Sequence, residues 1–145
     1  MNVTKIQTDV LKDVLAKKAH KWFISITANE AIIMTGTHVY VLDPKDYILD
    51  TKKLLELGVK EVTTINQILD AHDKAKPLTK TKLKHIIGEY TCIELKLGDE
   101  SIFVDEALLK NYDKNIEFEG TGAKAPVYIY EGEILVGVVL PVRVG

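Results

Sequence analysis

Apolar residues along this chain alternate between a helical and a strand period, and the order of the two periods outlines a fold. Near the N-terminus, Val10, Leu11, Val14 and Leu15 fall on one face of a helix that Thr8 is placed to cap, with Lys12, Asp13, Ala16 and Lys17 turned away from that face. A short strand over residues 3–6 is expected before it. Trp22 to Thr27 reads as a strand and Asn29–Glu30 as a turn. Ala31 to Leu42 is a long β-rich run that Gly36 interrupts with a bulge or second turn. Residues 1–43 therefore read β-α-β-β, with a third closing strand after Gly36 as an alternative.

The last quarter repeats this order. Ser101 to Asp105 reads as a strand, and the compact apolar pair Leu108–Leu109 marks a short helix. Three β-rich runs follow, Asn115–Glu119, Pro126–Tyr130 and Glu133–Val144, separated by Gly120, Gly122 and Gly132. Between the two units, Asp43–Pro44 stops a strand and Lys52 to Leu57 forms a short helix ended by Gly58. Thr64 and Gln67 have capping-box spacing for a helix through about Lys74.

The run from Lys74 to His85 carries Lys74, Lys76, Lys80, Lys82 and Lys84 with no acidic residue. Lysines so spaced can follow a phosphate backbone, each as a point charge that releases a counterion. A solvated connecting loop is the favoured reading, because no aromatic is interleaved to stack on bases.

Composition narrows the picture. A chain of 145 residues, 46% of them apolar, suits one domain with its own core. The formal charge of −2 supplies no global basic field. Cys92 is the only cysteine, so no intrachain disulfide forms, and its strand-like setting from Tyr90 to Lys96 gives it a packing role. With neither a signal-like N-terminus nor a run approaching a membrane span, a cytoplasmic protein without membrane contact is expected.

Little in the sequence calls for catalysis. His20, His38, His72 and His85 lack metal-ligand spacing, and neither a metal nor a cofactor is expected. Gly120-Thr-Gly122 lacks the strand-then-long-helix context of a dinucleotide site and reads as a turn. Glu117 and Glu119 share one strand face, where solvation explains them. Ser25 and Ser101 have no nucleophile-elbow sequence around them.

The order β-α-β-β-β, together with Phe103, Ala107, Leu108, Leu109, Gly120, Pro126 and the terminal Leu140-Pro141-Val142-Arg143, resembles the closing half-domain of the bacterial DNA polymerase sliding clamp, the polymerase III β subunit family. The resemblance covers residues 92–145. Thr35-Gly-Thr-His-Val-Tyr-Val41 is similar to a Thr-Asp-Gly-His-Arg-Leu segment of that family but lacks its Asp and Arg. It implies an α+β fold, a single clamp-like domain of two β-α-β-β-β halves (1–43 and 92–145) with their helices side by side. Residues 44–91 would then be a helical insertion and basic connector.

The resemblance also implies a non-catalytic protein of DNA replication or repair. Lys12, Lys17, Lys110 and Lys114 would face the phosphates of double-stranded DNA. Partner peptides of replication or repair proteins would dock at Val138, Leu140, Pro141, Val142 and Arg143, where a proline ends strand pairing beside apolar side chains. Val138 and Leu140 filling the core is the other reading of those positions. One domain in place of a six-domain ring implies either a homo-oligomer or an adaptor that forms no ring, as from a phage or mobile element. A small α+β interaction or structural domain without a DNA role is the alternative.

Overall fold

The computed structural model describes residues 1–62, Leu69 and 71–144. Helix α1 spans Val3–Leu15 and is capped by Asn2, whose side-chain oxygen accepts from the backbone N–H of Lys5 at 3.0 Å. That cap lies six positions ahead of the Thr8 start expected from the sequence and replaces the strand expected over residues 3–6. The Thr8 hydroxyl instead donates back to the Thr4 carbonyl at 2.8 Å, as a threonine inside a helix can. The earlier start also rotates the buried stripe. Ile6 and Val10 are fully buried with Val3 and Val14 beside them, while Leu11 and Leu15 face solvent.

Two side chains fix α1 against the rest. Gln7 donates to the Asp46 carbonyl at 2.9 Å and accepts from the Ile48 N–H at 2.8 Å, so both ends of its buried amide are satisfied. The Trp22 indole N–H donates to Asp13 at 2.7 Å, tying the helix to the start of the first strand.

The strands are β1 (Phe23–Ile26), β2 (Ala31–Met34), β3 (His38–Leu42), β4 (Lys60–Glu61), β5 (Lys76–Ile87), β6 (Tyr90–Leu97), β7 (Glu100–Asp105), β8 (Glu117–Gly120), β9 (Val127–Glu131) and β10 (Ile134–Val139). A second helix, α2, spans Thr51–Glu56. The fold is α+β: one mixed sheet of ten strands in the order β4-β1-β2-β3-β10-β9-β8-β5-β6-β7, with β4 parallel to β1 and the other pairs antiparallel. Outward from the central β3/β10 pair the order is the same on both sides, three consecutive strands in reverse sequence. α1 precedes the meander β1-β2-β3. A 3₁₀ turn, Glu106–Leu109, precedes β8-β9-β10. Beyond β10, Val142 donates to the Phe103 carbonyl at 2.8 Å, so the β5-β6-β7 end curls round to meet the C-terminal segment.

The lysine-rich segment differs from the loop reading. Residues 76–87 are the longest strand, paired through Lys76–Leu78 with β8 and through Thr79–Ile87 with β6. Its register shifts between Lys80 and Lys84, where three residues oppose Glu94 alone. The Glu94 carboxylate gathers the neighbourhood of this bulge: Thr81 and Ser101 hydroxyls donate to it at 3.1 and 2.9 Å, and Lys96 donates to the Ser101 hydroxyl at 2.7 Å. Those bonds, the one from Ser101 foremost, hold Glu94 below the usual carboxylate range. The expected helix from Thr64 falls mainly outside the described residues, and within them Ala71–Lys74 is a 3₁₀ turn.

Both sheet faces are covered. The larger core lies between one face, α1 and the 106–109 turn, and includes Ile24, Ile33, Leu42, Leu95, Ile102, Val127 and Ile129. Ile32, Val39, Tyr128 and Val138 form a smaller cluster with Leu69 on the other face. Cys92 is fully buried, and burial raises its thiol pKa. Among the described residues no helix is long and apolar enough to cross a membrane.

Candidate nucleic-acid interface

On the α1 side of the sheet, the N-terminus of α1 meets the end of the 106–109 turn, where the Asn2 N–H donates to the Asn111 carbonyl at 2.7 Å. The two helical segments flank a cleft of about 370 Å³, with Asp9, Lys12 and Asp13 on one wall, Ala107, Leu108 and Lys110 on the other, and Trp22, His38 and Tyr40 below. Lys110 also lines a neighbouring cleft of about 380 Å³ with Lys80, Lys84 and Lys114, over apolar Ile93, Leu109, Ile116 and Phe118.

The floor between these clefts is a buried polar cluster. His38 and Tyr40 are two apart on β3 and so share a face. Tyr112 packs across them, its ring centroid 5.5 Å from His38 and 5.7 Å from Tyr40. The His38 Nε2 and Tyr112 hydroxyl are 2.5 Å apart, and Asn111 donates to the Tyr40 hydroxyl at 3.1 Å. Burial pushes His38 down to about 3 and lifts both tyrosines above their ordinary value. The imidazole is therefore neutral at pH 7, and Tyr112, which stays protonated, is suited to donate to Nε2. Gly137 on β10 makes room for this ring: a Cβ there would lie 2.0 Å from the Tyr112 hydroxyl. Buried and neutral, the cluster underlies both clefts, His38 and Tyr40 lining one and Tyr112 the other.

Of the four lysines the resemblance singled out, Lys12 and Lys110 line one cleft and Lys110 and Lys114 the next. Lys17 does not join them. It follows the end of α1 in a left-handed conformation, φ 61°, and lines neither cleft. Lys80 and Lys84, assigned with the loop, do stand here. Only the strand register around the β5 bulge brings them to this face, and lysine spacing alone does not carry that register.

The acidic residues among them are already engaged. Asp9 is bonded to Lys5 at 2.5 Å, Asp13 to Trp22 and Glu106 to Lys84 at 3.1 Å, while Asp113 faces the Met1 amine at 3.1 Å. Lys12, Lys80, Lys110 and Lys114 make no ion pair among the described residues.

The five C-terminal positions do not form one pocket. Val138 is buried in the smaller apolar cluster, which agrees with its core reading. Leu140 is half exposed and lines a small hollow with Val138, Gly36 and Pro126, whereas Val142 and Arg143 line a different hollow beside Phe103 and Lys124. Pro141 lies between the two.

Among the described residues no group of three or more His, Cys, Asp and Glu is placed to hold a metal ion. No protein-family model matches the chain, and neither a curated protein nor a solved structure matches it.

Proposed function

We infer that this chain is a non-catalytic, clamp-like binding protein of DNA replication or repair, which touches the phosphate backbone of double-stranded DNA through the lysines on the α1 side of its sheet. The observation that carries this reading is the shared cleft of Lys12 and Lys110, continued past Lys110 by Lys80, Lys84 and Lys114. Lys12, Lys80, Lys110 and Lys114, which make no ion pair among the described residues, suit loose contact with phosphates, because each acts as a point charge without directional demands.

The clamp-like part of the reading draws support from the mirrored strand order about β3 and β10, each meander preceded by a helical segment on the same side. A partner peptide would lie across the two separate hollows, one lined by Val138 and Leu140 and the other by Val142 and Arg143, with Pro141 between them in the chain. A role in protein association without DNA is favoured by a separate feature, the exposed apolar end of the β5–β6 hairpin.

Fluorescence anisotropy with a labelled DNA duplex tests the reading. The double variant Lys12→Gln/Lys110→Gln should weaken binding, while Lys52→Gln/Lys53→Gln on α2 should leave it unchanged. Equal loss in both variants, or no binding by the unaltered chain, would overturn it.

A further inference from the structure

We propose that the projecting end of the β5–β6 hairpin is a docking arm that inserts into an acidic cleft on a second copy of this chain, each copy giving one arm and receiving one. Beyond Leu78, β5 leaves β8 and pairs only with β6, and β6 joins β7 only from Cys92 onward. The pairs Ile86–Thr91 and Ile87–Tyr90 thus form a two-stranded ribbon with no third strand among the described residues. Such a ribbon is marginal in water by itself. Yet it carries large apolar side chains outward, Ile86 81% and Tyr90 42% exposed, and Leu83, 60% exposed, stands at the bulge nearer its base. Lys80 and Lys82 on β5 make its approach basic, Lys84 being paired with Glu106, against Glu89 in the turn.

The complement is a surface of the same protein. A cleft of about 410 Å³ between the β1–β2 turn, the end of β3 and the β9–β10 hairpin is rimmed by Glu30, Asp43, Asp46 and Glu131. Its apolar lining includes Leu135 and Ile134, the latter 69% exposed. Lys45 and the Met1 amine offset part of the acidic charge, the amine lying 2.6 Å from Glu131. The remaining excess is negative, opposite in sign to the arm.

An apolar tip with lysines at its base and an apolar-lined cleft rimmed by carboxylates fit each other in both charge and hydropathy. No arm residue lines the cleft of its own molecule. Pairing of Glu117 with Tyr130 and of Leu78 with Phe118 shows that the β5–β6 and β9–β10 turns leave the sheet at the same end, with β8 between them. A two-fold axis at that end brings each arm to the other copy's cleft, a closed and self-complementary contact. This inference does not depend on the DNA reading.

Sedimentation velocity across a concentration series, at low and high salt, tests it. The unaltered chain should sediment as a dimer whose dissociation increases with salt. Ile86→Asp, at an exposed site, and Glu30→Lys/Asp46→Lys, on the cleft, should each sediment as monomers with an unchanged circular dichroism spectrum. An equimolar mixture of the two variants should recover part of the dimer, because one arm and one cleft remain intact between them. A monomer at every concentration and salt, or a dimer indifferent to both variants, would overturn the proposal.

Discussion

At the residue scale, one glycine and one histidine decide the clefts' floor. Gly137→Ala would press a methyl group into the Tyr112 hydroxyl, which His38 holds in place, and overpacking of this kind costs about 1–3 kcal/mol. Chemical denaturation should show that loss, and combining the change with Tyr112→Phe should make the two effects less than additive, since the phenol oxygen is the nearest clash. His38 gives a pH dependence of defined sign. Its folded pKa lies below the ordinary 6.5, so the unfolded chain binds the extra proton and stability is fully present only above that value. As pH falls from 6.5 toward about 3, this one group should remove at most about 1.4 kcal/mol per pH unit. Urea denaturation between pH 7 and 5 should therefore show a slope that His38→Gln, which can still accept from Tyr112, reduces. The shared face of His38 and Tyr40 is legible from strand alternation. The contact of Gly137 with Tyr112 is not, because no local period links a glycine in one strand to a ring in a preceding loop.

At the scale of elements, the strands of the last quarter were the most legible: β10 lies within its run, and β7, β8 and β9 each overrun theirs by one residue, at Glu100, Gly120 and Glu131. Two elements read differently for identifiable reasons. The start of α1 is set by Asn2, and both Asn2 and Thr8 are acceptable caps in sequence. Only the packing of Val3 and Ile6 selects the earlier one. Thermal denaturation should find Asn2→Ala less stable by about 1 kcal/mol, with Thr8→Ala nearer to neutral because its hydroxyl caps nothing. β5 reads as a loop by composition, yet pairing with β6 and β8 imposes a strand on its lysines. Charged side chains are tolerated there because most of them point to solvent.

For the molecule as a whole, α+β follows from the mixture of periods, but the joining of all ten strands in one sheet depends on long-range pairs such as β3 with β10. Those pairs place α1 and the 106–109 turn side by side and so assemble Lys12 with Lys110, residues 98 positions apart in the sequence. Family resemblance had singled out both lysines. Lys80 and Lys84 join them only through the fold.

The most direct test of phosphate contact is the salt dependence of duplex DNA affinity, measured by anisotropy for the unaltered chain and for Lys110→Gln. The logarithm of the association constant should fall linearly with the logarithm of salt concentration, and the variant's slope should be shallower by about 1. A slope near zero, or an identical slope in the variant, would contradict a lysine face that binds DNA.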